Sequence, residues 1–115
     1  MFLGVTILLM YAYASGGKGL ISTGTAREMI RSGEISMIVD VRTIREWEMG
    51  HYNGAIHIPI NRLTIAKFIY IQPTSGILVY CNTGQRARAV AEKILTFGFE
   101  NVYYIKGGYW TLLKS

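Results

Sequence analysis

The apolar positions of the chain fall into short runs separated by polar turns, and four of these runs predict strands. Ile77 to Tyr80 is a continuous run of β-prone residues that follows a turn sequence, which is typical of a buried strand. Met37 to Val39 has the same character and is followed directly by Asp40. Ala55 to Ile58 and Val102 to Ile105 predict two more strands.

Helical patterns alternate with these strands. Ser22 is placed to cap a helix that runs through Ser32 and ends at Gly33. The clearest helical pattern is Arg86 to Phe97, with an apolar stripe along one face and Gly98 after it. Weaker helical patterns cover residues 43–49 and 61–70. Strands and helices that alternate in this way predict an α/β fold, with a mostly parallel sheet covered by helices on both faces.

Length and charge restrict the classes of protein to consider. A chain of 115 residues has room for one compact domain with one core. The net charge of +5 favours anionic ligands, but the lysines and arginines are dispersed, with no run of like charge longer than two. The sequence therefore predicts a small anionic substrate and no nucleic-acid partner.

The chain has a single cysteine, Cys81, and two histidines. One cysteine cannot form an internal disulfide, and no Cys/His set has the spacing of zinc ligands. We therefore expect no metal and no cofactor. The thiol is either buried filler or a reactive group, and its place after a predicted strand favours the second, because parallel sheets bind ligands beyond the carboxyl ends of their strands.

The N-terminal segment differs from the rest of the chain. Its first 17 residues carry no charged side chain, and Phe2 to Ala14 is almost entirely apolar. That run is shorter than the roughly 20 residues that span a bilayer, so no stable membrane span is predicted. Its length and Ala12-Tyr13-Ala14 are typical of a cleaved signal peptide, although no Lys or Arg precedes the run.

Two interpretations of this segment follow. In the first, residues 1–19 are a signal peptide with a Gly-rich linker, and the protein is exported to the periplasm or cell envelope. In the second, they form an extra strand or helix packed on the domain of a cytoplasmic protein. Both interpretations place the folded domain at residues 20–115.

The loop from Cys81 to Arg86 has the features that a reactive thiolate needs. A helix begins directly after the loop, Gly84 permits a left-handed turn that aims backbone N–H groups inward, and Arg86 adds a cation. The same donors would bind an oxyanion next to the sulfur, with the guanidinium as a planar fork.

Several motifs together resemble the rhodanese family in their order and spacing. They are Asp40-Val41-Arg42, Glu46-Trp47, the stretch from Gly50 to Pro59, the Cys81 to Arg86 loop, and Gly107-Gly108. The resemblance runs from about Ile21 to Tyr109 and is nearest to small single-domain thiosulfate sulfurtransferases. Family loops often have Ser after the arginine, where this chain has Ala87.

The resemblance implies a rhodanese-like parallel sheet of about five strands and a Cys81 persulfide as the sulfur carrier. Asn82, Thr83, Gly84 and Gln85 match the family's amide cradle, and Arg86 matches its anion-binding arginine. Arg42 is added to the expected substrate-binding residues, although an Asp40–Arg42 ion pair could equally be a plain salt bridge. The donor is expected to be thiosulfate or a similar anion, and the acceptor a thiol, a protein or cyanide.

Two other functions fit parts of this pattern. One is a rhodanese-like phosphatase or arsenate reductase, whose loops resemble Cys-x-x-x-x-x-Arg and are one residue longer than the loop here. The other is a non-catalytic rhodanese-like binding module, a class that typically loses the cysteine or the arginine. The shorter loop counts against the phosphatase, and the presence of both Cys81 and Arg86 counts against the binding module, so the sequence favours sulfur transfer. It does not indicate an oligomeric state.

Overall fold

The computed structural model describes residues 19–113. Within them, four parallel strands form one sheet in the order β2-β1-β3-β4. The strands are β1 (Met37–Asp40), β2 (Ile56–His57), β3 (Ile77–Tyr80) and β4 (Val102–Tyr104). Three α-helices are α1 (Thr23–Ser32), α2 (Ile44–Glu48) and α3 (Gln85–Thr96), and three 3₁₀ helices cover Ile60–Arg62, Ile65–Phe68 and Tyr109–Leu113. This α/β architecture confirms the predicted fold class.

The prediction of about five strands was wrong by one. The position beside β4, where a fifth strand would lie, holds a single parallel bridge between Leu20 and Tyr104. Ile21 N–H donates to the Tyr104 carbonyl at 3.1 Å, but the next residue, Ser22, is already the N-cap of α1. Within the described residues, the backbone therefore turns into α1 directly after this bridge and forms no strand there.

Local chemistry explains where the helices begin and end. The Ser22 hydroxyl accepts a hydrogen bond from the Thr25 N–H, and Gly33 ends α1 in the left-handed conformation at φ 87°. The predicted helix over residues 61–70 is instead two 3₁₀ turns. Phe68 is the only buried residue of those two turns, so the segment has no apolar stripe that a longer helix could bury.

Successive side chains of a strand point to opposite faces of the sheet, so the core is divided into two clusters, one on each face. Ile77, Val79 and Cys81 belong to the cluster that contains the apolar residues of α3. Leu78 and Tyr80 belong to the other cluster, together with Ala26 of α1. All four residues of β1 and of β3 are buried, as expected for central strands covered on both faces.

The N-terminal predictions concern residues that lie almost entirely outside the described range, which begins at Gly19. Export and the domain boundaries therefore stay predictions. Among residues 19–113, no helix has both the length and the apolar character needed to cross a membrane.

Candidate active site

Cys81 lies directly after β3, at the carboxyl edge of the sheet, and α3 begins four residues later. The alternation along β3 points its side chain toward α3, and only 1% of the residue is exposed. The thiol is therefore buried at the edge of the sheet where parallel α/β proteins bind their ligands.

Two backbone groups donate hydrogen bonds to the sulfur. The Gly84 N–H lies 3.1 Å from Cys81 Sγ, and the Ala87 N–H in the first turn of α3 lies 3.4 Å away. Gly84 adopts φ 94°, a conformation that aims its amide at the sulfur and that side-chain-bearing residues rarely take. The sulfur therefore has two backbone hydrogen-bond donors at the N-terminus of α3.

The amide cradle predicted over Asn82, Thr83, Gly84 and Gln85 stays a prediction, because the hydrogen bonds described here concern only the Cys81 sulfur. Of its four residues, Gly84 is the one whose amide bonds to the sulfur, while Thr83 and Gln85 are exposed to solvent. The second donor is Ala87, at the position where rhodanese-family loops often have Ser. Its contribution comes from the backbone, which no side-chain pattern reports.

Arg86 forms a bidentate ion pair with Glu46. Its Nη1 and Nη2 atoms donate to Glu46 Oε1 and Oε2 at 2.8 and 3.1 Å. The pKa of Arg86 is raised, chiefly by these hydrogen bonds, and the charge of Cys81 raises it further. The guanidinium therefore lies between a carboxylate that already balances its charge and the sulfur that it was predicted to serve.

Glu46 is the functional residue that sequence reasoning did not single out for a role. Besides Arg86, it accepts hydrogen bonds from the Thr43 N–H and hydroxyl, each at 3.0 Å, and from Asn82 Nδ2 at 2.5 Å. The pKa of Glu46 is strongly lowered, mainly by the hydrogen bonds from Arg86. Thr43 and Glu46 form a capping box, a Thr-x-x-Glu pattern that could have marked this residue.

Glu46 therefore ties both ends of the cysteine loop to the start of α2. Asn82 and Arg86 flank the loop, and both donate to the same carboxylate. The Oδ1 atom of Asn82 is buried with no hydrogen-bond partner among the described residues. Such an unpaired buried acceptor is uncommon in a folded protein.

Arg42 lies at the end of the neighbouring strand β1, where its guanidinium pairs with Asp40, and it also lines the cleft that opens beside this loop. Its Nε and Nη2 atoms donate to the Asp40 carboxylate at 2.8 to 3.1 Å, and Nη2 also donates to the Gly50 carbonyl at 2.6 Å. The rings of Tyr80 and Tyr109 lie 5.6 and 5.2 Å from its Cζ atom. Arg42 is only 4% exposed, so these contacts hold the loop after β1 together.

A cleft of about 460 Å³ opens beside the loop after β1 and extends to Arg86. Arg62 and Lys67, from the two 3₁₀ turns after β2, also line it, as do the apolar side chains of Ile44 and Ile60. Among the described residues that line the cleft, none is acidic. A basic, partly apolar cavity of this kind suits an organic anion.

The arrangement provides a nucleophile with preformed donors and no resident metal site. Among residues 19–113, no cluster of His, Cys, Asp and Glu could hold a metal ion. The site also presents the Cys81 sulfur with two backbone N–H donors, and a cysteine sulfur is a group that can act as a nucleophile.

Comparisons with known proteins agree with this geometry. The model of the Rhodanese-like domain family matches residues 22–112. A tRNA uridine(34) hydroxylase from Buchnera aphidicola is 36% identical over 78 residues, which are 64% of this chain and 25% of that protein. The chain thus spans about a quarter of the length of the curated relatives that it matches.

Solved structures show the same fold. The human single-domain sulfurtransferase TSTD1 superposes with a TM-score of 0.68 at 20% identity, over 86% of this chain and all of that one. A structure of EanB that carries a cysteine persulfide, in a tetrahedral intermediate state with ergothioneine, has a TM-score of 0.61 at 27% identity, over 75% of this chain and 24% of that one. From the family match over most of its length and from this fold, the chain belongs to the rhodanese-like domain family.

Proposed function

We propose that this domain is a sulfurtransferase that carries sulfane sulfur as a persulfide on Cys81. The observation that carries the proposal is the pair of backbone N–H groups, from Gly84 and Ala87, that donate to Cys81 Sγ at the N-terminus of α3. These donors stabilise a thiolate before reaction and remain available to a charged sulfur bound to it afterwards.

Thiosulfate is the proposed type of donor. The Cys81 thiolate attacks the outer sulfur of thiosulfate, one S–S bond forms to Cys81, and the original S–S bond breaks. Its electron pair leaves with sulfite, so no external oxidant or reductant is needed. In the second half-reaction a nucleophilic acceptor takes the outer sulfur and returns Cys81 to the thiolate.

The spacing of the loop favours sulfur over phosphate as the transferred group. Four residues separate Cys81 from Arg86, one fewer than in the phosphatase-type loops named above. The backbone N–H groups of Gly84 and Ala87 both donate to the sulfur itself, and Arg86 is already paired with Glu46. A phosphate ester needs its own ring of donors for several oxygens, and this short loop is less suited to supply it.

The names of the curated relatives suggest a second candidate activity, the hydroxylation of a tRNA uridine. The curated proteins named tRNA uridine(34) hydroxylase share about a quarter of their length with this chain, so the match does not by itself carry their activity over to it. The EanB structure shows a cysteine persulfide in a protein that shares this fold and 27% of the aligned sequence. We therefore propose persulfide chemistry as the activity of this domain, and keep the absence of a nucleic-acid partner as a prediction.

Intact mass spectrometry after incubation with thiosulfate tests the proposal. We expect a gain of one sulfur atom that a reducing thiol reverses and that the Cys81→Ser variant does not show. Serine preserves the size of this buried side chain and an acceptor for the two N–H groups, and circular dichroism checks that the variant folds. The wild type alkylated at Cys81 serves as the matched control for nonspecific sulfur binding.

An adduct that persists in Cys81→Ser would refute the assignment of the carrier. A folded wild type with an accessible thiol that gains no sulfur from thiosulfate or from a low-molecular-weight persulfide would refute sulfur transfer altogether. Hydrolysis of a phosphate ester by the same preparation would then identify the phosphatase alternative.

A further inference from the structure

The segment between β2 and β3 exposes several large apolar side chains close together. Over residues 60–70, Ile60 is 43% exposed, Ile65 56%, Ile69 63% and Tyr70 93%. Single exposed apolar residues are common on protein surfaces, but a group of them within one short segment marks an interaction surface. We call this part of the surface the 60–70 face.

Phe68 holds the 60–70 face in place. It is the only buried residue of the two 3₁₀ turns, and its ring centroid lies 5.8 Å from that of Phe97 and 5.6 Å from that of Phe99. A turn hydrogen bond from the Lys67 N–H to the Thr64 carbonyl, at 3.1 Å, fixes the backbone before it. The exposed side chains are therefore carried on an ordered backbone that is anchored in the core.

Cations accompany these apolar side chains. Arg62 and Lys67 are exposed and form no ion pair with another described residue. Both line the same cleft as Ile44 and Ile60, so charged and aliphatic groups lie side by side there. The sequence contains no Asp or Glu from residue 49 to residue 91, so the segment that carries the face does not neutralise its own charge. A partner with an anionic surface and an apolar interior fits this combination.

From these features we infer that the 60–70 face binds the surface of an anionic membrane. Ile65 and Ile69 enter the boundary between the lipid headgroups and the acyl chains. Tyr70 lies at the level of the headgroups, where its ring and its hydroxyl meet apolar and polar surroundings. Arg62 and Lys67 contact the lipid phosphates. This binding goes beyond the proposed sulfur transfer and requires no helix that crosses the bilayer.

A second copy of this chain fits the 60–70 face less well. In a two-fold contact the same surface faces itself, so Arg62 and Lys67 of one copy would lie near the same cations of the other. The stretch from residue 49 to residue 91 has no acidic side chain to offset that repulsion. The charge of the face therefore favours an anionic partner over self-association.

The sequence before the described residues favours lipid over an acidic protein as that anionic partner. The run from Phe2 to Ala14 is almost entirely apolar and too short to span a bilayer. Apart from a segment packed on the domain, a run of this length is typical of a segment that lies in the membrane interface or of a signal peptide. Both of these bring the chain to a membrane, where the 60–70 face meets lipid.

Co-sedimentation of the full chain with vesicles tests the inference. The protein is mixed with vesicles of phosphatidylcholine alone, or of equal amounts of phosphatidylcholine and phosphatidylglycerol, and the bound fraction is measured against lipid concentration. A cation near an anionic surface strengthens binding by about fivefold. Arg62 and Lys67 together should therefore make partitioning onto the mixed vesicles about 25-fold stronger than onto phosphatidylcholine.

Loss of the aliphatic side chains should weaken binding to both kinds of vesicle. We expect Ile65→Ser and Ile69→Ser each to lower the partition coefficient by about tenfold, the effect of withdrawing part of an isoleucine from an apolar phase. Leu113→Ser is the matched control and should bind as the wild type does. Leu113 is 61% exposed, but it follows Leu112, which packs in the cluster on the opposite face of the sheet from Phe68. Circular dichroism checks that each variant is folded.

Loss of the cations should weaken binding to the anionic vesicles only. Arg62→Gln and Lys67→Gln should each lower partitioning onto the mixed vesicles by about fivefold and leave that onto phosphatidylcholine unchanged. Arg31→Gln makes the same change in net charge on α1, which packs on the opposite face of the sheet, and its exposed ion pair with Glu28 contributes little to folding. It should stay within about twofold of the wild type, because salt screens charges that do not touch the membrane.

Three results would overturn the inference. They are a wild type that does not sediment with the mixed vesicles, an Ile65→Ser/Ile69→Ser double variant that binds as the wild type does, and control variants that lose as much binding as the variants of the face. The first leaves an acidic protein as the occupant of the face, the second assigns the binding to another part of the chain, and the third assigns it to net charge or overall hydrophobicity. Persulfide formation on Cys81 is measured separately, so the proposed function is tested independently of this inference.

Discussion

Replacing Gly84 by alanine tests whether the loop conformation is what activates Cys81. At φ 94° an alanine would pay about 1–2 kcal/mol for the left-handed backbone. Its Cβ would also lie 2.9 Å from Lys106 Cα and 3.3 Å from the Ile105 carbonyl oxygen, and neither backbone atom can move aside as a flexible side chain would. Overpacking of this kind costs about 1–3 kcal/mol, so we expect Gly84→Ala to lower the free energy of unfolding by about 2–5 kcal/mol.

The clash would be relieved by moving the loop, and that movement takes the Gly84 N–H away from Cys81 Sγ, which is now 3.1 Å distant. A hydrogen bond to a charged group contributes about 1.5–3 kcal/mol, so persulfide formation should slow by about 10- to 100-fold. Urea unfolding measures the stability, and single-turnover mass spectrometry with thiosulfate measures the rate under conditions where the variant is fully folded.

Gly98→Ala is the control that separates the two effects. Gly98 has φ 104°, but a Cβ there would meet no atom within 4 Å, and the residue follows the far end of α3. It should therefore lose only the backbone cost of about 1–2 kcal/mol and keep its rate. If the folded Gly84→Ala variant forms the persulfide at a rate within about twofold of the Gly98→Ala rate, the role given to the Gly84 amide is wrong.

Two further predictions concern ion pairs. Because Arg86 lowers the pKa of Glu46, their pair stabilises the fold above the ordinary carboxyl pKa of about 4.3, and this contribution fades as pH falls below it toward the lowered value. Both side chains are about a third exposed, so the Glu46→Gln variant should lose only about 0.5–1 kcal/mol of unfolding free energy at pH 7, measured with urea. The unfolding free energies of variant and wild type should converge as the pH is lowered into the acid range. A difference that stays constant with pH would contradict this prediction. Arg42→Met leaves the buried Asp40 carboxylate without its ion-pair partner and should lower the free energy of unfolding by about 3–5 kcal/mol in the same assay. Arg31→Met removes an exposed ion pair and should change that free energy little. Equal losses in the two variants would refute the stabilising role of the buried pair.

The sequence by itself determined the elements that depend on local signals. The apolar run of β3, the stripe and glycine stop of α3, and the Ser22 cap of α1 act through neighbouring residues, so their elements were predicted to within one or two residues. The same local order placed Cys81 between a strand and a helix, because each of those two elements was recognisable alone.

Only the tertiary structure decided what surrounds that cysteine. Glu46 and Arg86 are 40 residues apart, and their pairing depends on how the loop after β1 packs against the loop after β3. Arg62 and Lys67 lie on 3₁₀ turns that the sequence presented as a weak helix, so their place in one cleft with Arg86 was not visible. The missing fifth strand likewise depended on how quickly the backbone turns from Leu20 into α1. Such contacts join segments that are distant in sequence, and hydrophobic periodicity and capping patterns carry no information about them.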